Sequence, residues 1–195
     1  DWETYNMVRE EFDADKASGK LWRSMGKLPF LEVDGKVISQ SKAIERYLAK
    51  KYNLMGENDE QAALIDSYCE YIRDFKTAYQ TVRKAKNKEE AMNKWFGETL
   101  PEKLNNFDKI LSANTDFQNI SSKVKSVLKN DRFSVGIKLS LADIVIYSFL
   151  VDFFDNKEGV KKSFENCKML NKIVNTVSEN PKIKKWVNER KETAF

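Results

Sequence analysis

Apolar and polar residues alternate from Pro29 to Val33 and again from Lys36 to Ser39, with Asp34-Gly35 between the two runs. A period of two predicts strands. Asp-Gly tolerates positive φ, so the pair predicts a tight hairpin. Upstream, Thr4 to Val8 reads as a short strand and Glu10 to Trp22 as a charged, weakly helical segment. Downstream, Ala43, Ile44, Tyr47, Leu48 and Lys51 follow helical spacing. NLMGEND, from Asn53 to Asp59, breaks the pattern.

Everything beyond this break has helical spacing. Leu64, Ile65, Tyr68, Cys69, Ile72 and Phe75 form one apolar stripe. A second helix is predicted over Glu89 to Leu111, bent near Pro101. Leu141 to Phe153 is apolar nearly all round and is expected to be the buried central helix. Ser140-Leu-Ala-Asp143 in front of it reads as a capping box with Asp in place of Glu or Gln. Met169 to Val177 and Lys182 to Arg190 complete the series, separated by Asn180-Pro181. Ile120, Val124, Val127 and Leu128 suggest an extra short helix within 115–131. The pattern predicts a mixed α/β domain over 1–52, a linker over 53–58 and an all-helical domain over 59–195.

Composition narrows the chemistry. Among 195 residues, 12 Phe, 7 Tyr and 4 Trp supply ample core material. The net charge of +4 comes from 34 basic residues interspersed with 30 acidic ones, which reads as a solvated surface and not a nucleic-acid stripe. The chain has no histidine, which excludes Ser/His and Cys/His nucleophile pairs and His-ligated metal sites. Cys69 and Cys167 are far apart, and no CxxC is present. The simplest expectation is two free thiols in a reducing, cytoplasmic setting, with a single disulfide as the alternative; two cysteines alone cannot build a structural zinc site. The longest apolar run, Ile144 to Val151, is too short to span a membrane. No signal peptide is legible, and the chain opens on DWETYNMV with no initiator Met, so a preceding N-terminal piece is expected.

Candidate site residues gather around the hairpin. Pro29 is either a trans strand opener or a cis proline. In the cis case the Leu28 backbone would be free to pair with an extended, peptide-like ligand. Ser41 is either a helix cap or, with Gln40 and the helix dipole, part of a carboxylate site. Lys20 and Lys27 flank the turn before Pro29, as solvated lysines or as partners of a second carboxylate. The two ends together would suit a short zwitterionic peptide.

Lys20, Gly26-Lys27-Leu28-Pro29, Leu31-Glu32-Val33-Asp34-Gly35 and Gln40-Ser41-Lys42-Ala43-Ile44-Glu45-Arg46-Tyr47-Leu48 together resemble the cytosolic glutathione transferases. The match is nearest to the sigma-like class, which includes glutathione-dependent prostaglandin D synthases. It continues through Asp66 to Phe75, Lys138 to Asp143 and Pro181 to Arg190.

The resemblance implies a thioredoxin-like glutathione-binding domain, an all-α second domain, a homodimer and a pocket for a small hydrophobic electrophile. It implies glutathione as co-substrate, no metal, no nucleic-acid or membrane partner, and a role in detoxification. By position, Leu28 behind a cis Pro29 would bind the cysteinyl backbone. Gln40 and Ser41 would hold the γ-glutamyl carboxylate, and Lys20 and Lys27 would face the glycyl carboxylate. Asp74, on residues alone a solvated helix carboxylate, would reach the γ-glutamyl amine bound in the partner subunit.

The sequence departs from the family in three places. The family's opening strand and first helix, with the Tyr that stabilises the thiolate, are absent, and none of the seven tyrosines takes that role. Lys16 stands where the family often has Trp. Residues 115–131 exceed the usual connection. A non-catalytic ligand-binding or structural relative is the alternative, and a thiol–disulfide oxidoreductase a third reading.

Overall fold

A computed structural model describes residues 5–113 and 133–190. The chain divides into two units, 1–52 and 53–195.

In the first unit, helix α1 (Arg9–Ala17) is followed by a single 3₁₀ turn (Trp22–Ser24), strands β1 (Phe30–Val33) and β2 (Lys36–Ser39), and helix α2 (Ser41–Lys51). The strands pair antiparallel, from Phe30↔Ser39 to Val33↔Lys36. Asp34 and Gly35 carry the positive φ values, 49° and 72°, that a two-residue hairpin needs. The Arg23 guanidinium donates to the Gly35 carbonyl and ties the 3₁₀ turn to the hairpin tip.

The strand expected over Thr4 to Val8 does not form. Residues 5–8 have no regular structure, and Thr4 lies outside the described residues. The Val8 carbonyl accepts the Phe12 N–H instead, at 3.0 Å, so that end of the segment is spent on starting α1. The helix expected to reach Trp22 stops at Ala17 because Gly19 turns left-handed (φ 79°), the usual helix stop. Only Leu21, Ser24 and Ala49 of the described residues in this unit are buried. Two four-residue strands offer too small a face to bury more.

The second unit holds the core. Residues 53–58 pack into it: the Leu54 carbonyl accepts the Leu141 N–H at 2.8 Å, Met55 is buried, and Glu57 pairs with Lys138 at 2.6 Å. Helix α3 (Asp59–Arg83) is capped by Asn58, whose side chain accepts the Gln61 N–H at 2.8 Å. It buries Ile65, Tyr68, Cys69, Ile72, Phe75 and Tyr79 along one stripe.

The single bent helix expected over Glu89 to Leu111 resolves into α4 (Lys88–Lys94), a π turn (Trp95–Thr99) and α5 (Leu100–Ala113). A proline ring clashes with the carbonyl four residues back in a regular helix. The wider π turn ending just before Pro101 accommodates it.

Helices α6 (Leu141–Val151), α7 (Lys157–Phe164), α8 (Lys168–Ser178) and α9 (Pro181–Glu189) follow. The central helix α6 packs on α3 and α8. It ends at Val151, short of the predicted Phe153, and Phe154 beyond it is buried against Tyr79 (4.8 Å) and Phe149 (4.9 Å). Helix α7 was not foreseen; its signals are the Asn156 cap on Gly159 (2.8 Å) and the buried pair Val160 and Phe164.

The capping box before α6 is complete. Asp143, fully buried, accepts from the N–H groups of Ser134 (2.6 Å) and Ser140 (2.8 Å) and from the Ser140 hydroxyl (2.7 Å). Burial pushes its carboxyl above the ordinary range, against the pull of these donors. The segment 115–131, with its suggested extra helix, lies outside the described residues. No helix among the described residues is long and apolar enough to cross a membrane.

Candidate functional site

The antiparallel register decides which residues meet at the open end of the hairpin. Phe30 faces Ser39, so Leu28 and Pro29, just before β1, run alongside Gln40 and Ser41, just after β2. The Leu28–Pro29 bond is cis. Leu28 is 44% exposed and lies outside the ladder. Its backbone N–H and C=O have no hydrogen-bond partner among the described residues. On its side away from β2, the β1 segment borders a groove of about 960 Å³ lined by Tyr5, Met7, Leu28, Leu31 and Tyr52, among others.

Gln40 occupies the N-cap position of α2 with φ 73° and ψ 114°. Its carbonyl accepts from Ala43 (2.9 Å) and Ile44 (3.1 Å), while its side chain caps nothing. Ser41 is the first helical residue and does not cap the helix, which corrects the cap reading: the cap lies one residue earlier, on a residue whose side chain makes no cap hydrogen bond. Both side chains are exposed, and the Ser41 hydroxyl has no hydrogen-bond partner among the described residues. The first N–H groups of a helix have no carbonyl within the helix. Together with the helix dipole they form a natural place for a carboxylate. A glutamine held at positive φ costs roughly 1–3 kcal/mol, and such strain concentrates at functional positions.

Lys20 and Lys27 flank the turn that leads into this end. Lys20 shares a hollow of about 130 Å³ with Phe30, Glu32 and Val37. Its ammonium pairs with Asp15 at 2.8 Å, and that hydrogen bond raises its pKa. Asp15 was missed in the sequence; the contact arises because the chain reverses at Gly19 (φ 79°), which no helical spacing reveals. Lys27 follows two left-handed residues, Met25 (φ 55°) and Gly26 (φ 67°), is exposed, and has no partner among the described residues. Asp74 stands on the exposed side of α3, in the other unit.

Both cysteines are buried in the second unit. The Cys167 thiol donates to Asn105 at 3.4 Å, and burial, with Asp108 nearby, pushes its pKa up to about 11. A thiol held protonated is a poor nucleophile, which weighs against Cys167 as the centre of a thiol–disulfide exchange.

Comparison with known proteins bears on the fold and the family. Residues 73–190 match the model of the glutathione S-transferase C-terminal domain, and residues 4–109 match that of an outer mitochondrial membrane transport complex protein. Glutathione S-transferase 4 of Caenorhabditis elegans is 31% identical over 194 residues, covering 98% of this chain and 86% of the relative. Among solved structures, the monomeric Na-GST-3 of Necator americanus superposes with a TM-score of 0.76 at 26% identity, over 100% of this chain and 87% of that one. The prostaglandin synthase D of Nilaparvata lugens gives 0.71 at 26% identity, over 97% and 86%. The α/β unit followed by a helical unit is thus a thioredoxin-like domain followed by an all-α domain, and the chain belongs to the glutathione S-transferase family.

Proposed function

We propose that the protein binds glutathione through the open end of its hairpin and transfers the thiol to small hydrophobic electrophiles. The observation that carries this reading is the unpaired Leu28 backbone lying beside the Gln40-Ser41 start of α2. An extended peptide backbone pairs with Leu28 as an added strand would. The γ-glutamyl carboxylate sits on the first N–H groups of α2 and the Ser41 hydroxyl, beside Gln40. The glycyl carboxylate points to Lys20 and Lys27. In a homodimer, Asp74 takes the γ-glutamyl amine of the partner's ligand. These residues orient the tripeptide; none of them supplies the donor that activates its thiol. A free thiol ionises near pH ~8.5, and a fixed hydroxyl donor would favour the thiolate at neutral pH.

The names of the relatives support transfer chemistry. The prostaglandin synthase neighbour favours sigma-like kinship, with glutathione-dependent isomerisation and peroxide reduction as further reactions. Detoxification in the cytoplasm is the setting this chemistry suits.

The test is retention of the intact protein on immobilised glutathione, elution by free glutathione, and conjugation of a generic aromatic electrophile followed by absorbance. Failure to bind overturns the reading. Light scattering distinguishes the homodimer from a monomer of the kind named for the hookworm neighbour. A second reading, a non-catalytic ligand-binding or interaction module, is favoured by the match of residues 4–109 to a transport-complex protein. It predicts binding without conjugation.

A further inference from the structure

The positive charge of the chain is concentrated in its last three helices. Residues 157–190, which span α7 to α9, hold nine basic and four acidic residues, a net of +5, against +4 for all 195 residues. The rest of the chain is therefore slightly acidic. Helix α9 (Pro181–Glu189) adds an apolar feature to this region. None of its residues is buried, and Trp186 is 59% exposed.

Helical spacing sets what surrounds the indole. Ile183 and Val187 are half-buried and form the inner side of α9, which packs on α8. Lys182 lies one turn before Trp186 and Lys185 beside it, both exposed, with Lys184 exposed further round. Glu189 is the one acidic residue of α9, and α8 adds exposed Lys168 and Lys172 with no acidic residue of its own. Arg190 stacks on the Trp186 ring at 4.9 Å, and its guanidinium takes the two carboxylate oxygens of Asp152 at 2.8 and 3.2 Å, which neutralises that acid. The Lys157 ammonium donates to the carbonyls of Val151 and Asp152 at 2.7 and 3.0 Å. The start of α7 and the end of α9 thus meet at the C-terminus of α6.

We propose that α9, with the start of α7, is a docking surface for an anionic phospholipid bilayer. Trp186 enters the headgroup layer, where indoles collect because that layer is wet on one side and apolar on the other. Lys182, Lys184 and Lys185 are drawn to the negative lipid surface around it. The attachment is peripheral, since no helix among the described residues is long and apolar enough to cross a membrane. It departs from the resemblance to the transferases, which implies no membrane partner, and it does not depend on the glutathione reading.

The test is sedimentation of the intact protein with two kinds of vesicle, phosphatidylcholine alone and phosphatidylcholine mixed with phosphatidylserine, at low and at high salt. The protein binds the mixed vesicles at low salt and is released at high salt, while phosphatidylcholine alone leaves it in solution. Lys182→Gln and Lys185→Gln each weaken binding about 5-fold, the share of one lysine near such a surface. Lys50→Gln, at an exposed lysine of α2, leaves it unchanged. Nitroxide-labelled lipid quenches the fluorescence, and Trp186→Phe removes that quenching although three other tryptophans remain. Because α9 buries none of its residues, these variants keep the fold, which circular dichroism checks. If wild type shows no preference for the mixed vesicles, the proposal is overturned. It is equally overturned if the α9 lysine variants bind as well as Lys50→Gln, or if quenching survives in Trp186→Phe.

Discussion

Replacing Asp143 with alanine removes a single acceptor on which three buried donors depend. The side chain is fully buried and takes the N–H groups of Ser134 and Ser140 at 2.6 and 2.8 Å and the Ser140 hydroxyl at 2.7 Å. Each buried donor left without an acceptor costs about 1–3 kcal/mol. The Ser140 hydroxyl still accepts the N–H of residue 143, so the cap adds nothing further to this count. Removing a buried carboxylate gives some of this back, because burial disfavours its charge. The expected net loss is about 3–5 kcal/mol for Asp143→Ala, typical of breaking a buried network. Asp143→Asn keeps one acceptor oxygen and should lose roughly half as much. The assay is equilibrium unfolding in urea followed by far-UV circular dichroism, since α6 is the helix that packs on both α3 and α8. A loss below about 1 kcal/mol for the alanine variant would refute the reasoning, because it would mean that water or backbone relaxation satisfies all three donors.

Ser41→Ala should weaken glutathione binding several-fold in titration calorimetry while leaving the melting temperature unchanged, because the hydroxyl caps no helix. Gly56→Ala should lower stability sharply in urea denaturation, since a Cβ there would stand 2.6 Å from the Gln61 Cβ at a φ of 79°. Phe154→Ala should cost about 3–5 kcal/mol in the same assay, by emptying a site walled by Tyr79, Phe149, Phe96 and Phe153. Cys167 should resist aromatic disulfide reagents in the native protein and react once it is unfolded. Its thiol is held protonated to about 11, whereas in the unfolded chain it ionises near ~8.5. The folded state keeps the proton longer, so this stabilisation is complete below the unfolded value and is lost as pH rises towards the folded one. Wild type should therefore lose more stability than Cys167→Ala between about pH 8 and about pH 10.

What could be read from the sequence follows a physical division. The hairpin was legible because Asp34-Gly35 carries its own backbone chemistry, and the α3 stripe because one face of a long helix repeats its apolar residues. The cap at Ser140 and Asp143 was legible because both partners lie within one turn. Features that depend on a partner brought from elsewhere were not. Residues 5–8 have strand-like composition but no ladder to join, and Val8 spends its carbonyl on α1 instead. The helix start at Gln40 was placed one residue late, because a glutamine with positive φ is an outlier that tertiary structure must impose. The candidate site divides in the same way. Leu28, Pro29, Gln40 and Ser41 are joined by the hairpin register, which local sequence specifies. Asp15 on Lys20, and Lys16 over Gly26, are joined by the reversal at Gly19, whose consequences no periodicity records. The part of the site that would read a peptide backbone is therefore written in short-range code. The part that would set the charge at its far end is written in the path of the chain.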